Sequence, residues 1–460
     1  MTPSNRILPS LIAALFPMAV PAATICVNPG GTAGCLASIA AGVAAAAPGD
    51  TVSVAAGTYN ESGIVMNKSV NVTGAGVDVT VVDGSTGGVN SSSTIFQFQP
   101  NTFATSTISQ MTIRGGARGV DLSGTNIVTI DHARVTANGP ATGAGIFNGS
   151  SQLTVSDSLI DGNSATDVTS IAGCDWGGGS GGGIASLCGG GSNHIVDSTI
   201  SGNVASRWGG GLIINDGTSL IENSTITGNS ANFPDPTLAG GAIFMGGAFP
   251  DILVRFTTIS NNNAVGVGGI QAGPQLKLYA TLLQGNAGVA CAGTLTSLGY
   301  NVVSDSSCGF SQAGDLASTD AMLQVLANNG GATPTQAISA VSPAVDIVPT
   351  VDCTVFSDQR GTSRPQHLGC DAGAYEHVFS ENDLVMLLLS ELVGVNPGNA
   401  HVSQLLEAMA NRHPQLACLA LNLLLADVNG LATRHKITAD KAAAIVETIG
   451  EIKVKVGCSN

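Results

Sequence analysis

Seven apolar residues recur along the middle of the chain at one register: Ile113, Val135, Ile160, Ile200, Ile226, Ile259 and Leu283. Three positions after each stands a turn residue, Gly116 in the first instance and then Asn138, Asn163, Asn203, Asn229, Asn262 and Asn286. The steps between register residues are 22, 25, 40, 26, 33 and 24. A floor near 22 residues with variable excess marks a solenoid, in which each coil buries its apolar side only against its neighbours. The excess falls in "DVTSIAGCDWGGGSGGG" and "NFPDPTLAG", which predicts loops inserted into those coils. Within the coils, Thr, Val and Ile alternate with Ser, Asp and Asn at the two-residue period of strands, and helical spacing is absent.

Stacked coils bring equivalent residues to about 4.8 Å, so the six asparagines are expected to bond along a structural ladder inside one turn. A second phrase, "GAGI", "GGGI", "GGGL", "GGAI" and "VGGI", follows each Asn after a variable gap. Its glycines suit a corner, and its closing Ile or Leu starts the next inward strand. A phosphate cradle would need a strand feeding a helix, and none follows.

With these phrases the chain resembles secreted or surface right-handed parallel β-helix proteins, including the repeat domains of polymorphic outer-membrane proteins, whose GGAI-like phrase stands here at Gly240 to Ile243. The stretch "CLASIAAGVAAAAPGDTVSVAAGTY", 35–59, is similar to the N-terminal cap helix and first strand of such proteins. The exit "LANNGGATPTQAISAVSPAVD" with "DQRGTSRP" and "CDAGAYE" is similar to the choice-of-anchor Q type of bacterial β-helix protein. The resemblance covers about residues 26–377. The expected fold is all-β, a right-handed parallel β-helix with an N-terminal cap helix and a small all-α C-terminal module. The expected divisions are a signal peptide at 1–23, the capped β-helix at 24–377 and the helical module at 378–460.

Export is expected because Arg6 precedes the apolar run "ILPSLIAALFPMAVPA", and small residues there allow cleavage after Ala22 or Ala23. Three prolines in that run argue against a membrane anchor, and no later stretch is expected to span a bilayer. In an exported chain the ten cysteines suggest disulfides. Their order pairs sequence neighbours: Cys26 with Cys35, Cys174 with Cys188, Cys291 with Cys308, Cys353 with Cys370, and Cys418 with Cys458. No Cys-x-x-Cys spacing exists to hold zinc. A net charge of −15 repels phosphate backbones and disfavours nucleic acid as a partner.

Charge is sparse at 10% of residues, yet it concentrates in "DQRGTSRPQHLGCDAGAYE". Arg360 and Arg364 are expected to pair with Asp371 and Glu376 in a coil that seals the last exposed edge of the solenoid. From Phe379 onward the period becomes helical, with Ser380 and Thr438 as N-caps and Gly394 as a stop. A calcium loop around "DVNGLATRHK" would need an oxygen ligand where Leu431 stands and a turn glycine where Ala432 stands. No metal or other cofactor is expected.

β-Helices also carry lyases and hydrolases, whose catalytic residues would share register positions on neighbouring coils. "TIDHARV" resembles the Ile-Asp-His phrase of pectate lyases, but His132 shares its turn position with Gln110, Asp157, Asp197 and Asn223, which a polar ladder explains. A lyase needs a base and aligned cations, and Arg114, Arg134 and Arg255 fall at different register positions. The two tryptophans, Trp176 and Trp208, each precede a glycine run, with Asp175 and Arg207 beside them. Aromatic faces on a rigid scaffold suit sugar rings, which makes these four residues the candidate glycan contacts. The expected function is therefore that of an exported, secreted or surface-associated non-catalytic protein in adhesion or polysaccharide contact. The alternatives are a polysaccharide lyase or related carbohydrate-active enzyme, and a structural envelope protein.

Overall fold

The computed structural model describes residues 21–85, 93–100, 102–169, 178–189, 191–235, 239–247, 251–395 and 399–458. The chain winds into a right-handed parallel β-helix with three sheet faces. Face one stacks Thr105–Ser109, Ile127–Asp131, Gln152–Ser156, Ser192–Val196, Thr218–Glu222 and Asp251–Arg255 in parallel. Face two stacks Thr112–Arg114, Arg134–Thr136, Leu159–Asp161, Thr199–Ser201, Thr225–Thr227, Thr258–Ser260 and Leu282–Gln284. Face three carries the strands that the glycine phrases lead into, among them Ile146–Asn148, Ile184–Ser186, Leu212–Ile214 and Ile243–Met245.

The register read from the sequence is the pairing register of face two, Ile113 to Val135 to Ile160 and onward to Leu283. Its isoleucines and Val135 are fully buried, in one continuous core with the inward residues of the other faces. Coils continue beyond both ends, since Tyr59 pairs with Val82, Val82 with Ile113, and Leu283 with Val303. Serine stands three places after each of these outer residues, so they lack the asparagine that makes the repeat visible.

Every ladder amide is satisfied. The Nδ2 of Asn163 donates to Asn203 Oδ1 at 2.9 Å and to Val135 O at 2.9 Å, while Asn203 Oδ1 also accepts from the Asn163 backbone N–H at 3.0 Å. The same unit joins Asn138 to Asn163, Asn203 to Asn229, Asn229 to Asn262 and Asn262 to Asn286. Glycine is required beside it: a Cβ on Gly183 would stand 2.6 Å from Gly211 O and 3.1 Å from Asn203 Nδ2. A second ladder runs along the corner between faces one and two, where Ser158, Ser198 and Ser224 each accept a backbone N–H from the preceding coil. Those hydroxyls donate back to the carbonyls of Ser156, Val196 and Glu222.

Helix α1 (Ile39–Ala45), capped by Ser38, closes the N-terminal end, with Ile39, Gly42 and Val43 buried. The C-terminal cap differs from expectation in position. Residues 333–376 do not lie across the end of the solenoid; they run back along the outside of face two as a strap. Thr199 donates to Pro334 O at 2.6 Å, Thr225 to Gln359 Oε1 at 2.7 Å, and the Ala374 N–H to Thr258 at 3.0 Å. Thr199, Thr225 and Thr258, outward-facing on their strands, are thereby fully buried. Arg364 pairs with Glu376 at 2.8 Å with both side chains buried, whereas Arg360 pairs with Asp358 at 2.6 Å. Asp371 meets no arginine side chain; it accepts backbone N–H groups from Asp346 and His377, and Arg364 reaches only its carbonyl. Five donors converge on the two carboxylates: two backbone N–H groups on Asp371, and on Glu376 the Arg364 guanidinium with the backbone N–H groups of Gln366 and Asp371.

Helices α2 (Glu381–Glu391), α3 (Asn399–Ala410), α4 (Pro414–Thr433) and α5 (Ala439–Val456) form a separate apolar cluster that Ala340 and Phe379 join. Ser380 forms a capping box with Asp383, and Thr438 caps α5. One expectation is corrected here: at 20 residues and mean hydropathy 1.6, α4 is long and apolar enough to cross a membrane. Its Ala417, Ala420, Leu421, Leu424 and Val428 are buried within the module. Disulfides join Cys26 to Cys35, Cys291 to Cys308, Cys353 to Cys370 and Cys418 to Cys458. Cys188 is also disulfide-bonded, and Cys174 lies outside the described residues. Such bonds form in an oxidising environment.

The module meets the strap at His367, whose ring is buried. Its Nδ1 lies 2.5 Å from Asp346 and its Nε2 3.8 Å from Glu451 of α5. Burial opposes charge on the ring, but the Asp346 hydrogen bond and the charges of Asp346, Glu451 and Glu447 outweigh it and raise its pKa. Burial raises Glu391 and Glu451 as well. All three groups therefore bind protons more tightly in the folded protein than in the unfolded chain, so the stability linked to them is greatest at low pH and declines as pH rises through their raised values. His367→Gln should flatten the dependence of the unfolding midpoint on pH between pH 6 and 8, where the imidazole otherwise loses its proton and the stability linked to it. Separately, Asn203→Leu strands the donors of Asn163 and the carbonyl of Ile160. It should cost about 1–3 kcal/mol per unsatisfied group, measured by urea unfolding.

Candidate ligand-binding groove

Alternate residues of each face-one strand point to solvent, and successive strands align them in columns. The central column reads Thr154, His194, Leu220, Leu253 and Lys277 on consecutive coils. It floors a groove of about 490 Å³ whose rim includes Gln152, Ser192, Thr218 and Asp251, with Leu298 closing one end. Both leucines are only partly buried although they point away from the core. His194 Nε2 is enclosed and lacks a hydrogen-bond partner among the described residues. A buried polar atom without a partner costs free energy that a ligand group could recover. The groove escaped the sequence reading, although one signal was available: "SLIE" and "DILVR" break the alternation by putting an apolar residue on the outward side.

Three residues along from this column runs the corner between faces one and two, where Gln110, His132, Asp157, Asp197 and Asn223 all adopt positive φ. The shared conformation is what places them in one line, the serine after Asp157, Asp197 and Asn223 forming the buried ladder while the side chain at the corner itself points outward. His132 Nδ1 lies 3.1 Å from Asp131, and one ligand atom from each of Asp131, His132 and Asp157 falls within 4.8 Å of the others. This is the set among the described residues that could hold a cation. Burial raises the Asp157 pKa, and the Asp131 charge adds to the rise. Asp197 is pushed up to about 7, by burial first and then by the charge of Asp157 on the adjacent coil. The strap covers this part of the corner: Thr333 donates to Asp197 O at 3.1 Å and Asn223 to Ser357 O at 2.7 Å.

The residues expected to touch glycans are placed elsewhere. Trp208 lies outside face three in an apolar cluster with Phe147, Ala185, Leu187, Ile213 and Phe244. Its ring centroid is 5.8 Å from that of Phe244 and 5.3 Å from that of Phe233, and Arg207 stands 5.6 Å over it. Trp208 is thus partly buried between rings, and the structure does not bring it to the face-one groove. Trp176 and Asp175 lie outside the described residues.

No family model matches the chain, and no curated protein matches it. Among solved structures it is similar to pectate lyase Pel9A at 15% identity, over 77% of this chain and 96% of that one, with a TM-score of 0.46. It is also similar to a PL6 family alginate lyase, AlyGC, at 11% identity over 68% of this chain and 55% of that one, TM-score 0.31. A pectin methylesterase in complex with a hexasaccharide shows 10% identity over 65% and 93%, TM-score 0.26. No residue of those proteins is carried over to this chain.

A buried Asp with a raised pKa lowers stability as pH rises from its unfolded value of 3.8 through its folded value of about 7. Asp197→Asn should therefore stabilise the protein at pH 8, by on the order of 1–2 kcal/mol once partial exposure is allowed for. The same substitution should be nearly neutral at pH 4. Thermal melts at the two pH values measure the difference.

Proposed function

We propose that this is an exported β-helix protein of the choice-of-anchor Q type, secreted or held at the cell surface, that makes non-catalytic contact with glycans through the groove on face one. The observation that carries this is the groove itself: a column of outward side chains crossing five coils, partly apolar on its floor, polar on its rim, with the enclosed His194 Nε2 unpartnered. Sites for small ligands and oligomers combine apolar floors with a few placed polar groups in this way. The signal sequence and the disulfides support export. The cations nearest the groove are already engaged, Lys277 by Asp251 at 2.8 Å and Arg255 by Glu222, which favours holding a ligand over the charge neutralisation that proton abstraction beside a carboxylate demands.

A carbohydrate-active enzyme is the second reading, and Asp197 is the observation in its favour. A carboxylic acid that keeps its proton near neutral pH beside a second carboxylate is what a general acid requires. Against it, the strap encloses that carboxyl. The two readings separate on a glycan array of the mature protein with parallel product analysis. Contact without turnover, weakened at least tenfold by His194→Ala, supports the first. New reducing ends or unsaturated products, lost in Asp197→Asn while binding persists, would establish the second instead.

A further inference from the structure

We infer that the face-one groove takes a neutral polysaccharide, laid along the solenoid axis, and rejects polyuronates. The inference rests on the groove being the contact site proposed above and names the class of its ligand. The direction follows from the column: Thr154, His194, Leu220, Leu253 and Lys277 succeed one another along the axis, at about 4.8 Å per coil, so the surface is long in that direction and one side chain wide. Leu220 and Leu253 offer an apolar strip to the C–H face of a pyranose ring, and His194 Nε2 and the rim hydroxyls of Ser192 and Thr218 suit its hydroxyls.

Charge decides the class. The lysine and the arginine of the groove coils each have a carboxylate partner, Lys277 with Asp251 and Arg255 with Glu222. The flanking corner adds Asp157, which has no arginine or lysine partner among the described residues. A uronate carboxylate entering the groove would find Lys277 and Arg255 already paired and would meet the Asp251 carboxylate on the rim, an unfavourable arrangement at the separations where Coulomb terms between surface groups are still felt. A neutral ring meets neither penalty. The net charge of −15 acts in the same direction at longer range.

The test is isothermal titration of the mature chain with neutral oligosaccharides (β-glucan, mannan and xylan series) and with oligogalacturonate and oligoalginate, at 20 and 300 mM salt. The expected result is binding of at least one neutral series that changes less than twofold with salt, and at least tenfold weaker binding of both uronates. Leu253→Asp should weaken the neutral ligand at least tenfold, and Thr154→Arg, at the opposite end of the column from Lys277, should weaken it severalfold, the fold of both variants being checked by circular dichroism. Asp251→Asn, which frees Lys277, should improve uronate binding severalfold. Tighter binding of a uronate than of any neutral glycan, through the same residues, would overturn the neutral class while leaving the groove as the contact site. Failure of every glycan to bind, or binding untouched by both groove variants, would overturn the groove itself.

Discussion

The parallel backbone ladder between coils is the interaction on which everything else depends. A coil of this chain has no folded alternative: its inward Ile and Val residues are covered only by the coils above and below, and its turns contain buried polar groups that must find partners. The asparagine amide resolves the second problem at one corner. One side chain supplies two donors and an acceptor shared between two N–H groups, so a single residue per coil satisfies the turn and its neighbour at once. The serine ladder does the same at the next corner with one hydroxyl. Because each rung satisfies the next, the register cannot slip without stranding donors along the stack.

That rigidity has a consequence for the surface. Columns of outward side chains are held at fixed spacing without effort from the residues themselves, so a ligand-binding strip needs only a change of residue type on successive coils. Face one makes that change between Thr154 and Lys277. Face two cannot, because the strap occupies it, and face three packs its outward Phe147, Ala185, Ile213 and Phe244 in an apolar cluster with Trp208. Among the described residues, face one is the face left open over the central coils.

The repeat was legible because its determinants are local: an inward aliphatic, an asparagine three places on, and a glycine corner at the close-approach positions. The outer coils were not, since serine replaces the asparagine after Tyr59, Val82 and Val303, and strand pairing, core packing and scattered side-chain bonds such as Arg114 to Asp83 keep them in register. The helical caps at Ser380 and Thr438 were legible for the same local reason. The groove was half-legible. Leu220 and Leu253 break the strand alternation in the sequence, but nothing there shows that they and His194 share one column.

The sequence by itself determined the architecture, a stack of strand-built coils followed by a helical module, because periodicity records what each coil must bury. Tertiary structure decided where the strap lies, which carboxylates its arginines reach, and why burial raises the Asp197 pKa. Those outcomes rest on contacts between residues such as Thr199 and Pro334, 135 positions apart. No local pattern encodes such a separation, and the burial it produces sets both the face left open and the charge beside it.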